Sequence, residues 1–170
     1  MEGNYMGLFS KLFSRNDTSN GNQIYAPVAG QAVAITEVPD PVFSGKMMGD
    51  GVAIIPSDGK IYAPFSGTVD MMFDTGHAVS LISDTGVEVL IHVGLETVGL
   101  RGKPFKVRVK KGDKVKRGQL LIEADLDAIK AAGLKTITPV VVCNADVYTN
   151  ISTTVGKSVA KDDMVIEVVK

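Results

Sequence analysis

At 170 residues the chain has the length of one ordinary domain with a short extension. Apolar residues make up 45% and charged residues 22%, with a net charge of −1, which suits a folded domain with a core and excludes an overall field that would draw nucleic acid. The single cysteine, Cys143, excludes an intrachain disulfide, and no apolar run nears the about 20 residues of a membrane span, so a reducing, cytoplasmic setting is expected.

In chain order, residues 1–22 read as a flexible tail. Met1 to Ser10 lacks the basic start and long apolar stretch of a secretory signal. Leu8, Phe9, Leu12 and Phe13 fall on one face of a helix and Lys11 and Arg15 on another. That pattern suits peripheral contact with an anionic membrane; a disordered terminus is the competing reading. Met6 is an alternative start, and Asn16 to Asn22 reads as a polar linker.

Residues 23–170 read as a single all-β domain. Ile24-Tyr25-Ala26-Pro27-Val28-Ala29-Gly30 returns as Ile61-Tyr62-Ala63-Pro64-Phe65-Ser66-Gly67, a duplicated strand–turn unit. Strand-like runs follow at 52–55, 77–82, 87–93, 105–109, 119–124, 139–143 and 164–169. Gly49-Asp50-Gly51, Ser83-Asp84-Thr85-Gly86 and Lys111-Gly112-Asp113 are predicted turns between them. Only Leu126 to Leu134 carries a helical pattern, ended by Gly133. The even spacing of strands and Gly/Pro turns points to a sandwich or barrel.

The two histidines hold the most chemistry. If Asp84-Thr85 is a two-residue hairpin loop, facing residues have numbers summing to 169, and His77 stands opposite His92. Their shared face then carries Val79, Leu81, Glu88 and Leu90. A three-residue loop using Gly86 shifts the register by one and puts the histidines on opposite faces.

Two imidazoles fall short of the three or more protein ligands of a zinc site. No serine lies in a Gly-x-Ser-x-Gly setting, and Cys143, after Pro139-Val140-Val141-Val142, reads as a buried strand residue. A neutral imidazole nitrogen is a good nucleophile near its ordinary pKa of about 6.5. A phosphoryl group on that nitrogen is labile enough to be passed on, and a second imidazole with Thr75 supplies hydrogen-bond donors to it. Two ordinary half-buried histidines are the competing reading.

Asp74-Thr75-Gly76-His77-Ala78, together with Val87-Glu88-Val89-Leu90-Ile91-His92-Val93-Gly94-Leu95-Glu96-Thr97-Val98, resembles the glucose-type enzyme IIA of the bacterial sugar phosphotransferase system. The similarity runs through Val38-Pro39-Asp40-Pro41-Val42-Phe43, Gly49-Asp50-Gly51 and Thr138-Pro139-Val140-Val141, and covers residues 23–170. It implies a compact antiparallel β-sandwich of duplicated barrel-sandwich-hybrid motifs with one or two very short helices. It implies that His92 takes a phosphoryl group from the histidine phosphocarrier protein and passes it to a cysteine on the IIB domain of a sugar permease. His77 would steady that group and support its donation, with Thr75 orienting His77. Val42, Phe43, Phe73 and Leu90 would form the docking surface, and Asp40 and Glu96 its acidic rim.

The same resemblance implies no required cofactor. It implies a zinc site on His77 and His92 only where a partner adds a carboxylate, and regulated metabolic or transport proteins as further partners. Two positions depart from the family pattern: Leu90 stands where phenylalanine is frequent, and Gly76 where asparagine is more usual.

Residues 101–117 hold nine of the 18 Lys and Arg residues with one acid, Asp113. Phe105, Val107 and Val109 alternate with Lys106, Arg108 and Lys110, which reads as a half-buried strand with a solvated face rather than a nucleic-acid site. Residues 109–121 are similar to the turn of biotinyl and lipoyl carriers, but Lys46-Met47-Met48 lacks the methionine that precedes the modified lysine. A lysostaphin-type zinc hydrolase shares the hybrid β architecture and needs a His-x-His set that two histidines cannot supply.

Overall fold

The two repeated Tyr-Ala-Pro segments lie against each other. The computed structural model describes residues 22–170; the expected tail, with Leu8, Phe9, Leu12 and Phe13, lies outside the described residues. β1 (Gln23–Tyr25) runs into β2 (Gly30–Ala34) through the first copy. β3 (Asp50–Pro56) follows, and β4 (Lys60–Tyr62) runs into β5 (Gly67–Met72) through the second copy. The Tyr25 N–H donates to the Pro64 carbonyl at 3.0 Å and the Tyr62 N–H to the Pro27 carbonyl at 2.7 Å, so the copies clasp each other reciprocally.

The chain continues through β6 (Ala78–Ser83), β7 (Glu88–His92), β8 (Phe105–Val107), β9 (Lys114–Val115) and β10 (Leu120–Ala124). It ends with β11 (Thr138–Val142), β12 (Asn150–Thr153), β13 (Lys157–Val159) and β14 (Met164–Val169). Every strand pairing is antiparallel. The strands form sheets ordered β1-β14-β12, β4-β10-β8 and β13-β2-β3-β11-β7-β6-β5-β9. The duplication extends to these pairings: β1 with β14 and β2 with β13 repeat the pattern of β4 with β10 and β5 with β9. It extends to side chains as well. The Arg117 guanidinium lies 4.2 Å from the Tyr25 ring centroid, and the Lys161 ammonium lies 4.9 Å from that of Tyr62. The fold is the expected antiparallel sandwich with a duplicated motif.

Among the described residues two short α-helices complete it, α1 (Pro41–Ser44) and α2 (Leu126–Ala131). Each starts on an aspartate whose side chain accepts a backbone N–H: Asp40 from Val42 at 3.0 Å and Asp125 from Ala128 at 3.0 Å. The expected helix 126–134 closes earlier, with Gly133 turning to φ +80°.

Strand alternation splits the eight-stranded sheet into two faces. Val52, Ile54, Val79, Leu81, Val89, Ile91, Val140 and Val142 point into the main core. Ala53, Ala78, Leu90 and Val141 point outward, beneath a smaller cover of Ile35, Val38, Phe43, Leu95 and Ile137.

Three local expectations are corrected. Gly49-Asp50-Gly51 is not a turn: Asp50 and Gly51 open β3, and a Cβ on Gly51 would lie 2.1 Å from the Val140 carbonyl oxygen of β11. The glycine there serves a close strand approach. Cys143 is exposed rather than buried, because β11 ends one residue before it. Val107 is exposed although Phe105 and Val109 are buried, because β8 stops at Val107.

Candidate functional site

The hairpin between β6 and β7 sets the positions of both histidines. The Ser83 N–H donates to the Val87 carbonyl at 2.9 Å and the Gly86 N–H to the Ser83 carbonyl at 3.0 Å, with Gly86 at φ +97°. The loop is therefore Asp84-Thr85-Gly86, three residues closed by a left-handed glycine. The register pairs Ala78 with His92, Ser80 with Leu90 and Leu81 with Val89. The two-residue reading is thus off by one, and Val79 and Leu81 belong to the inner core.

The rings nevertheless meet, with centroids 5.0 Å apart and planes at 78°. A strict alternation argument separates them, but His77 precedes β6 and does not obey it. It follows Gly76, whose φ of +74° turns the backbone so that the imidazole lies over the outer face. Glycine and asparagine both tolerate that conformation, which explains why the departure at Gly76 leaves the loop intact. Ala78, opposite His92, keeps the space beneath the rings small and apolar.

Each imidazole is held at Nδ1. His92 Nδ1 lies 2.7 Å from the Gly94 carbonyl oxygen. A carbonyl only accepts, so Nδ1 carries the proton and Nε2 keeps its lone pair in the neutral ring. His77 Nδ1 is hydrogen-bonded to Thr75 Oγ1. With the hydroxyl donating, the His77 proton sits on Nε2. The Phe43 ring stands 5.2 Å from His92 and the Phe73 ring 5.4 Å from His77, so each histidine has one aromatic wall.

Burial, and then the charge of His92, pulls His77 from its ordinary value down to about 4. Burial also lowers His92, against the opposing pull of the Gly94 hydrogen bond and the Asp40 carboxylate. Both rings are neutral at pH 7. The exposed thiol of Cys143 is raised by partial burial of its sulfur and by the Glu88 charge, so it is not a ready thiolate.

The expected surface residues divide into two groups. Phe43 and Leu90 are each only 5% exposed and act as floor, whereas Val42 is 40% exposed at the first turn of α1. Phe73 is half-buried. Asp40 and Glu96 line one cleft with Leu134 and Lys135, and neither histidine is part of its lining.

In the turn after β7 the sequence assigned a role to Glu96 but none to Val93, Gly94 or Thr97. The Val93 N–H donates to the His77 carbonyl at 2.7 Å, tying the two histidine segments together. The fully buried Thr97 donates through Oγ1 to the Val93 carbonyl at 2.6 Å. Gly94, at φ +78°, has no room for a side chain: a Cβ would lie 2.7 Å from Thr97 Cγ2 and 2.8 Å from the Lys135 carbonyl oxygen. A glycine two residues after a histidine was the available signal.

The described residues hold no group of three or more His, Cys, Asp or Glu side chains able to hold a metal ion. Two imidazoles are fewer than the three or more protein ligands that a zinc site uses. Lys46 of the Lys-Met-Met segment pairs with Asp50 at 3.5 Å. No helix of the described residues is long and apolar enough to cross a membrane.

Comparison with known proteins bears on the family and the fold. Residues 22–148 match the family model described as "phosphoenolpyruvate-dependent sugar phosphotransferase system, EIIA 1". The chain is 46% identical over 154 residues to the PTS system glucose-specific EIIA component of Bacillus cereus, covering 91% of this chain and 93% of that one. It is 54% identical over 126 residues to the PTS system glucose-specific EIICBA component of Staphylococcus carnosus, covering 74% of this chain and 19% of that longer one. The solved structure titled glucose permease IIA from Mycoplasma capricolum matches with a TM-score of 0.78 at 32% identity, over 85% of this chain and 93% of that one.

Proposed function

The chain belongs to the EIIA 1 family of the phosphoenolpyruvate-dependent sugar phosphotransferase system, and on that premise we propose that it is a phosphoryl carrier with His92 as the carrying residue. It takes the group from the histidine phosphocarrier protein and gives it to the IIB cysteine of a sugar permease on the cytoplasmic side of the membrane. The relatives named glucose-specific support a glucose-type permease as the acceptor.

The observation that carries this reading is the pinned His92 ring. The Gly94 carbonyl holds Nδ1–H, which leaves Nε2 as the nucleophile. Nε2 attacks phosphorus in line with the bond to the donor imidazole. The donor P–N bond breaks as the new P–N bond forms, and the donor leaves as a neutral imidazole with its other N–H retained. His92 becomes a phosphoimidazolium whose Nδ1–H stays on Gly94, so no proton has to move. In the second transfer the IIB thiolate attacks, the P–S bond forms as the P–Nε2 bond breaks, and His92 leaves as a neutral imidazole that keeps Nδ1–H.

His77 stands beside His92 with Nε2–H free to donate to a phosphoryl oxygen, provided that the Thr75 hydroxyl donates to its Nδ1. Phe43 and Phe73 keep water from the phosphoryl group and limit hydrolysis. Asp40, Val42 and Glu96 form the rim on which a basic partner surface docks. Both transfers proceed without a metal or organic cofactor. A zinc ion on His77 and His92 would need a carboxylate from a partner protein, and no step here is routed through it.

The test is labelling from phosphoenolpyruvate with the general phosphotransferase proteins. Acid-labile label appears on the wild type and is absent in His92→Ala; label that persists in the variant refutes the assignment.

A further inference from the structure

The basic stretch picked out in the sequence has no part in phosphoryl transfer as described. Nine cations against one acid give residues 101–117 a charge of +8, which leaves −9 on the rest of a chain whose net charge is −1. Acidic side chains also lie close to this stretch, Glu123 and Asp125 lining one cleft with Lys103 and Lys106. Three of the nine cations are neutralised locally: Arg108 by Glu123, Lys110 by Asp113 at 3.4 Å and Arg117 by Asp162 at 3.5 Å. Arg101, Lys103, Lys106, Lys111, Lys114 and Lys116 are exposed and have no such partner among the described residues.

Lysines on an edge strand also keep it from pairing with other chains. That accounts for Lys106 on β8 and Lys114 on β9, both outermost in their sheets. It does not account for Arg101, Lys103, Lys111 or Lys116, which lie outside both strands. The stretch is also continuous with the histidine loop. A Cβ on Gly76 would lie 2.7 Å from Val107 Cγ2, and one on Gly102 would lie 3.3 Å from the Thr75 carbonyl oxygen.

We infer that this strip is a docking surface for an anionic lipid bilayer. Protein interfaces depend on aromatic and apolar anchors that are desolvated on binding. Here Val107 is the exposed large apolar side chain, while Phe105 and Val109 are buried. Lipid headgroups need no anchor: each Lys or Arg near an anionic surface strengthens binding roughly fivefold. Docked through the strip, the domain rests on the membrane with the Thr75–His77 loop beside the bilayer, within reach of a membrane-borne acceptor. The inference rests on charge and placement and stands apart from the phosphoryl reading.

The test is co-sedimentation of the full chain with vesicles of phosphatidylglycerol and phosphatidylcholine, with neutral phosphatidylcholine vesicles, and against a short DNA duplex. Binding is expected to the anionic vesicles alone and is lost at high salt. Lys103→Gln/Lys106→Gln/Lys111→Gln/Lys114→Gln should weaken it by at least roughly tenfold. Lys46→Gln/Lys60→Gln/Lys157→Gln/Lys170→Gln, with the same change in net charge, should bind nearly as the wild type does. A thermal melt confirms that each variant is folded, and the single variant Lys103→Gln gives a roughly fivefold loss if the quadruple variant is not. Unchanged binding by the strip variants, equal loss in both quadruple variants, no binding to anionic vesicles, or tighter binding to DNA would each overturn the inference.

Discussion

The two faces of the eight-stranded sheet are built to different ends. The inner face presents Val79, Leu81, Val89, Ile91 and Val140, all fully buried in the main core. The outer face presents Ala78, Leu90 and His92 under a thin cover from turns and one-turn segments. Alternate residues of β7 thus serve two jobs: Val89 and Ile91 fix the strand, while Leu90 and His92 carry the site. Stability and chemistry should therefore respond to different substitutions on the same two strands.

Leu81→Ala and Leu90→Ala test that separation most strongly. Leu81 is fully buried, and its truncation should cost about 2–5 kcal/mol in unfolding free energy. Leu90 belongs to the smaller cluster near the surface, where the cover can settle over the gap, so about 2 kcal/mol or less is expected. Denaturant unfolding of both variants decides it; equal costs would mean that the outer cluster is as much a core as the inner one.

His77 belongs to the outer face yet links chemistry to stability. In His77→Ala the carrier should still accept phosphoryl groups, but donation to the IIB cysteine should fall roughly 100-fold, as for the loss of one donor to a transition state. Normal donation would remove His77 from the mechanism. The pH dependence of folding carries a second signature. The folded imidazole titrates at about 4 because of burial and the His92 charge, below the about 6.5 of an unfolded histidine. As the pH falls, the unfolded chain binds the proton first. The stability that neutral His77 contributes is complete above about pH 6.5 and is lost as the pH falls toward 4. Wild type should lose about 2 kcal/mol more than His77→Ala between pH 7 and 4.5, read from denaturant unfolding at the two pH values.

Val79 and Leu81 were expected on the histidine face but point into the main core, whereas the duplication was legible because Tyr25 and Tyr62 lie in copies of the same turn. The hairpin register was not. Ser83 to Gly86 accommodates a loop of two or three residues, and only the left-handed turn at Gly86 selects three. The meeting of His77 and His92 was reached from an incorrect register. It occurs because His77 sits on a glycine turn ahead of β6, which strand periodicity does not describe. Phe43 and Leu90 were expected at the docking surface on the strength of being apolar and near the histidines. Burial under Val38 and Leu95, which is a tertiary property, makes them floor instead.

The smallest expected effect separates the histidines from their support. Thr97 is hydrogen-bonded to neither imidazole. Its hydroxyl holds the Val93 carbonyl, the Val93 N–H holds the His77 carbonyl, and the next residue, Gly94, accepts from His92. Thr97→Val keeps the shape and removes the hydroxyl, leaving a buried carbonyl without that donor, at a cost of about 1–3 kcal/mol. The Gly94 carbonyl is then free to turn, and His92 loses its preference for Nδ1–H. Nitrogen NMR of the His92 ring should show a mixed tautomer population, and phosphoryl acceptance should slow by a few-fold. Thr97→Ser restores the donor and should restore both. An unchanged His92 tautomer in a folded Thr97→Val protein would mean that β7 and its inner-face packing alone aim the ring, and the division of labour between the two faces would be less complete than the geometry implies.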